Sequence, residues 1–191
     1  MRFAAWSQIG EEPVLPPIPE LEAHLAPLRN PGARKSSAAA WALLYRLMAG
    51  QGIEPGELFF EEGGKPRFRG DPIWFSISHS GGICAVSVAD VPTGVDVEHV
   101  RASYRQSLLQ RSISPQERSV FDGDFTALWC RKEAISKLTG RGITGWPASI
   151  DTLDKRYSFC ERSFESGGME YRLAAVFQGE NEPVKTMFIS I

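Results

Sequence analysis

Between Ile73 and Glu98 the chain carries three short β-type runs separated only by turns. The first is Ile73-Trp74-Phe75-Ser76-Ile77-Ser78, and a turn containing Gly81-Gly82 leads to Ile83-Cys84-Ala85-Val86-Ser87-Val88. Pro92-Thr93-Gly94 then opens the third, Gly94-Val95-Asp96-Val97-Glu98. Because these runs arrive as a block, the strict βαβ rhythm of a doubly wound sheet is excluded and an α+β chain is expected. Helical periodicity flanks the block. Trp41, Leu44, Tyr45 and Met48 recur at i, i+3, i+4 and i+7, predicting a helix from Ser36 that Gly50 and Gly52 stop. Downstream, a helical segment is expected around Tyr104 to Gln110, and Ser114-Pro115-Gln116-Glu117 reads as a capping box with proline at the first helical position. A longer helix over Asp124 to Leu138, closed by Gly140, has Phe125, Leu128, Trp129, Ile135 and Leu138 as its apolar arc. Alternation returns in Tyr157 to Phe159, Tyr171 to Phe177 and Lys185 to Ile191.

Six of the 13 prolines fall in residues 13–31, which predicts a loop-rich surface segment there. A length of 191 residues corresponds to about 1.3 average domains, so one unit or two small halves sharing a cleft is expected. With 21 basic against 23 acidic residues, no overall positive field exists to hold nucleic acid. Cys84, Cys130 and Cys160 form neither a CxxC pair nor a zinc spacing, and no stretch reads as a signal peptide or a membrane span. A cytoplasmic globular protein is the expectation.

The residues with chemical potential cluster in the middle of the chain. On a strand, Val95 and Val97 share one face while Asp96 and Glu98 share the other. Two carboxylates that close repel unless a cation lies between them, and hard oxygen ligands suit magnesium or manganese. The competing reading is a solvent-facing acidic edge. In Trp129-Cys130-Arg131-Lys132-Glu133-Ala134-Ile135-Ser136-Lys137, Glu133 and Lys137 lie four apart on one face at the border of the apolar arc. By itself that pair reads first as a surface ion pair worth a few tenths of a kcal/mol; the combination with the acidic strand shifts the reading. Phe75-Ser76-Ile77-Ser78-His79-Ser80 can present a hydroxyl and an imidazole to a phosphate, whereas a serine-hydrolase GxSxG elbow is absent. Lys65, in Gly64-Lys65-Pro66, is either a turn lysine or a phosphate contact, and His24 and His99 read as incidental. Arg34 and Lys35 sit ahead of the expected helix, where an anion would offset their charge and be welcomed by the helix amides.

Taken in order, Gly64-Lys65-Pro66, Phe75 to Ser80, Gly94 to Glu98, Trp129 to Lys137 and Gly140-Arg141-Gly142 resemble the motifs of the 4′-phosphopantetheinyl transferases, in particular the longer monomeric kind with two fused, similar halves. The resemblance implies two similar α/β halves, residues 1–92 on the coenzyme A side and 93–191 on the metal and carrier side, with the active site in the cleft between them. It implies transfer of the phosphopantetheine arm of coenzyme A to a serine of an acyl or peptidyl carrier protein, releasing adenosine 3′,5′-bisphosphate. Asp96, Glu98 and Glu133 would bind magnesium or manganese. Lys65 and Pro66 would line the adenine and phosphate side, Ser78 and His79 would contact phosphates, and Arg34 would meet the 3′-phosphate. Glu133 would take the serine proton, Lys137 would assist the departing phosphate, and Arg141 would add counter-charge. The carrier would dock near the Arg141 to Pro147 loop. The sequence departs from the family in having no lysines before Arg34 that match those holding the 3′-phosphate in longer relatives, and in Ser112, where relatives often have an aromatic residue. Two other classes remain open on the residues alone: a non-catalytic relative that binds coenzyme A and a carrier, and a magnesium-dependent phosphodiesterase.

Overall fold

The computed structural model describes all residues except 12, 71–72 and 144–146, so part of the loop named above lies outside the described residues. Among the described residues the fold is mixed α+β, with two larger sheets and two long helices in layers. Strands β1 (Arg2–Gln8), β4 (Trp74–Ser80), β5 (Ile83–Ala89) and β9 (Lys185–Phe188) form one sheet in the order β4-β5-β1-β9. Its β4, β5 and β1 are antiparallel neighbours and β9 runs parallel to β1. Strands β6 (Thr93–His99), β7 (Tyr157–Ser166) and β8 (Met169–Gln178) form an antiparallel sheet in the order β6-β8-β7. A short hairpin, β2 (Leu58–Phe60) with β3 (Pro66–Phe68), carries the Gly64-Lys65-Pro66 turn.

Strand alternation builds three cores. Every residue of β5 is buried, with Cys84, Val86 and Val88 packing toward α2 (Pro31–Gly50) and Ile83, Ala85 and Ala89 toward the second sheet. On β8, Tyr171, Leu173, Ala175 and Phe177 face the first sheet, while Ala174 and Val176 meet α5 (Phe125–Thr139). The order of layers is therefore α2, first sheet, second sheet, α5.

Two expectations need correction, and one strand was not anticipated. Helix α2 begins at Pro31 rather than Ser36, because Asn30 caps it by accepting from the Ala33 amide at 3.1 Å and Pro31 supplies a preset first φ. Arg34 and Lys35 therefore lie inside the helix. The proline-rich segment also contains a short helix, α1 (Pro19–Leu25), which buries Leu21 and Leu25; its proline sits at the helix start, where it is tolerated. Strand β1 has no alternating signature because it is covered on both faces, Phe3 and Ala5 on one side and Ala4 and Trp6 on the other.

Between β6 and α5 run α3 (Gln106–Ser112) and α4 (Pro115–Arg118), the latter opened by the expected capping box: Ser114 Oγ accepts from the Glu117 amide and Glu117 accepts from the Ser114 amide. Glu117 is also one partner of a buried ion pair. Lys132 Nζ donates to both of its carboxylate oxygens at 2.8 Å and to the Ile150 carbonyl at 2.6 Å. Thr152 donates to Glu117 through its amide and its hydroxyl. Burial alone would raise the Glu117 pKa, but the hydrogen bonds from Lys132, Ser114 and Thr152 hold it below the ordinary value. No described helix is long and apolar enough to cross a membrane.

Candidate active site

The two sheets meet along an edge: β4, the last strand of the first sheet, lies against β6, the last strand of the second. Serine hydroxyls of β4 stitch this seam. Ser76 Oγ accepts from the Val95 amide at 3.1 Å, Ser78 Oγ donates to Asp96 Oδ1 at 2.8 Å, and Ser80 Oγ donates to Glu98 Oε2 at 2.6 Å. Alternation on β6 turns Val95 and Val97 into the intersheet core and leaves Gly94, Asp96 and Glu98 on the side of α5. Asp96 is 4% exposed, so the reading of a solvent-facing acidic edge does not hold.

Close approach of α5 to β6 depends on Gly94. A Cβ at that position would lie 2.0 Å from the Ala134 carbonyl oxygen and 2.7 Å from the Leu138 nitrogen. With no side chain in between, α5 lays Glu133 and Lys137 over the acidic face of the strand. Lys137 Nζ donates to Asp96 Oδ1 at 2.7 Å and to Ser78 Oγ at 2.8 Å. The lysine thus pairs across the seam with Asp96 instead of forming the surface bridge with Glu133 that helical spacing allows. Asp96, Glu98, Glu133, Lys137, Ser78 and His79 all line one cavity of about 470 Å³, to which Pro66 also contributes. Lys65 and Pro66 join Glu133 and Lys137 in an adjoining cavity of about 260 Å³.

Electrostatics mark the same place. Burial raises the Glu133 pKa, Asp96 and Glu98 add to the rise, and Lys137 opposes it. Burial and the Lys137 charge lower that of His79 against the pull of Asp96. Cys130, buried on α5 beside Asp96, is pushed well up by burial and by the neighbouring carboxylates.

Lys65 donates to the Leu138 carbonyl at 2.7 Å, tying the Gly64-Lys65-Pro66 turn to the last turn of α5, which Gly140 ends in the left-handed conformation. Burial, reinforced by Arg67 and opposed by Glu61, lowers the Lys65 pKa to about 8. The unfolded chain keeps that proton up to an ordinary lysine value near 10.4, so this group makes folding stability rise with pH between about 8 and 10. It also makes about half of the Lys65 amines neutral at pH 8, against under about one in a hundred for an ordinary lysine. With a limiting dose of an amine-reactive ester at pH 8, peptide mapping is expected to find Lys65 labelled before the exposed lysines. Labelling of Lys65 last would contradict this environment.

Not every expected residue joins the acidic cavity. Arg34 is exposed on α2 and is not part of its lining, although Ser37, one turn further along the same helix face, is. Arg141 lines two neighbouring cavities instead, one with Lys65, Arg67 and Arg156 and one with Ser136, Thr139 and Asp151. His24, read as incidental, does line the acidic cavity. Its ring stacks on Phe60, with centroids 4.6 Å apart, a contact that no local pattern around residue 24 announces.

Among the described residues, no three His, Cys, Asp or Glu side chains close around a point where a metal ion would sit. The donor set nonetheless has the character a hard divalent cation needs. Three carboxylates face one cavity, and Asp96 Oδ2 is buried with no hydrogen-bond partner among the described residues.

The sequence model of the 4′-phosphopantetheinyl transferase superfamily matches residues 92–177, the stretch that supplies Asp96, Glu98, Glu133 and Lys137. Over that stretch the chain resembles the superfamily. It is 33% identical to the 4′-phosphopantetheinyl transferase AcpT of Salmonella typhi over 127 residues, which is 60% of this chain and 65% of that relative. It is 37% identical to the 4′-phosphopantetheinyl transferase psf-1 of Bacillus pumilus over 101 residues, 46% of this chain and 41% of psf-1. AcpT of Escherichia coli K12 is 33% identical over 112 residues, 53% of this chain and 55% of that protein. The match thus spans less than two thirds of each of these relatives.

Proposed function

We propose that this chain transfers the 4′-phosphopantetheine arm of coenzyme A to a serine of an acyl or peptidyl carrier protein and releases adenosine 3′,5′-bisphosphate. The observation that carries the reading is the single cavity in which Asp96, Glu98 and Glu133 face Lys137, Ser78 and His79. The names of its relatives support it. A site built along the seam between two sheets, each backed by its own long helix, supports the arrangement of two similar halves with the active site between them. In that arrangement residues 1–92 serve the coenzyme and 93–191 the metal and carrier, although β9 returns to complete the first sheet.

Asp96, Glu98 and Glu133 would hold magnesium, or manganese. Bound there, the ion would supply positive charge against the pyrophosphate of the coenzyme. The carrier serine hydroxyl attacks the phosphorus that bears the pantetheine arm, forming a new P–O bond while the pyrophosphate P–O bond breaks. Glu133, whose proton affinity burial and the neighbouring carboxylates raise, accepts the serine proton. Lys137 turns its ammonium from Asp96 toward the departing phosphate. Ser78 and His79 contact phosphate oxygens, Lys65 and Pro66 line the nucleotide side, Arg34 meets the 3′-phosphate and Arg141 adds counter-charge. Positioning and electrostatics account for catalysis in this scheme, as phosphoryl transfer requires. A monomer acting in the cytoplasm completes the reading.

Intact-mass measurement tests it. Mixed with coenzyme A, magnesium and a panel of fatty-acid, polyketide and peptide-synthetase carriers, the protein is expected to add the mass of phosphopantetheine to at least one carrier, and a chelator is expected to stop the addition. No addition across the panel overturns the assignment. Glu133→Gln is expected to slow transfer about a hundredfold with an unchanged melting temperature. A fully active variant would remove Glu133 from the role of base.

A further inference from the structure

The acidic cavity has a lining that the scheme above leaves unused. His24 reaches it from α1 and Ser37 from α2, both outside the stretch matched by the superfamily model. The His24 ring is held in plane by two neighbours: it stacks on Phe60 with centroids 4.6 Å apart and an interplanar angle of 14°, and it meets Trp41 edge-on at 6.2 Å. Stacking on Phe60 uses one face of the imidazole and leaves its edge, where both nitrogens lie, available for hydrogen bonding. Among the described residues neither His24 nitrogen has a hydrogen-bond partner. An aromatic-held imidazole in the lining of a polar cavity is a donor in place before any ligand arrives.

Charge explains why such a donor is needed. Three carboxylates make one part of the cavity strongly negative, and Lys137, Ser78 and His79, which the transferase reading turns toward phosphate, are few donors for a ligand with several phosphates. A ligand carrying several phosphates therefore has to find its remaining donors elsewhere in the lining. His24 is placed to be one of them.

We propose that His24 is a ligand-binding residue of this cavity, donating a hydrogen bond from its ring edge to a phosphate oxygen of bound coenzyme A and so setting the affinity for the coenzyme rather than the rate of transfer. The identity of the ligand rests on the transferase reading; the role of His24 as a binding residue is the new element. Partial desolvation of this largely exposed ring supports it by lowering its proton affinity, which favours the neutral imidazole with one N–H donor and one acceptor.

Two variants separate the hydrogen bond from the stack. His24→Phe keeps an aromatic ring on Phe60 and removes both nitrogens, whereas His24→Gln keeps a side-chain N–H and removes the ring. Calorimetric titration with coenzyme A and magnesium, with steady-state kinetics on an accepted carrier, reads the effect. His24→Phe is expected to raise both Kd and KM for coenzyme A about tenfold, with kcat within about twofold and the melting temperature unchanged. His24→Gln is expected to recover part of the affinity. If wild-type protein binds coenzyme A and His24→Phe binds it equally well, or loses kcat with KM unchanged, the role of His24 is overturned while the transferase reading stands. If wild-type protein binds no coenzyme A, both fall together.

Discussion

Lys132→Met is expected to destabilise the fold by about 3 kcal/mol. The ammonium it removes is fully buried and donates to both oxygens of Glu117 and to the Ile150 carbonyl. Methionine fills most of the volume, so packing changes little. What changes is that a carboxylate only 2% exposed loses its counter-ion, and a backbone carbonyl loses its donor. Glu117 keeps its bonds from Ser114 and Thr152, which places the cost at the lower end for a broken buried pair. The pair joins three pieces of chain, α4, α5 and the segment at 150–152, so the loss is felt across that end of the second sheet. Urea unfolding should show a lower midpoint with an unchanged slope. A change below about 1 kcal/mol would mean that the pair contributes far less than its burial suggests.

Gly94→Ala is the second substitution with a large expected effect, and it acts on the site as well as on stability. The added methyl would lie 2.0 Å from the Ala134 carbonyl oxygen, where real contacts of this kind stay above 3.0 Å, so β6 and α5 must part by about 1 Å. The obstacle is helix backbone and cannot rotate away. Overpacking of this kind costs about 1–3 kcal/mol, sometimes more. The same displacement separates Lys137 from Asp96, now 2.7 Å apart, and carries Glu133 off the acidic face. A shift of that size can cost about a hundredfold in rate even when every reacting group is retained. Both losses are expected together, by urea unfolding and by the carrier assay. A stable, fully active variant would show that the helix and strand have room the structure does not contain.

Legibility in the sequence followed the range of each interaction. The shared face of Asp96 and Glu98 was readable because alternation is a property of any strand. The capping box at Ser114–Glu117 and the end of α5 at Gly140 were readable because capping involves residues three or four apart. Strand β1 was not, since burial on both faces removes the alternation that reveals a strand. The true start of α2 was carried by Asn30 and Pro31, a cap and first-turn signal hidden among other prolines.

The sequence alone determined which residues could act: the acidic pair on one strand, the glutamate and lysine one turn apart on a helix, and the serine–histidine strand end. Tertiary structure alone decided how they act together. It matched the hydroxyls of β4 to the carboxylates of β6, gave Lys137 to Asp96 instead of Glu133, locked α5 through Lys132 and Glu117, and brought His24 to the cavity from a segment with no local sign of function. The reason is physical. Periodicity, capping and turn chemistry act over a few residues and are written into neighbouring letters, whereas these contacts form only after sheets and helices pack, between residues whose spacing along the chain is set by loops.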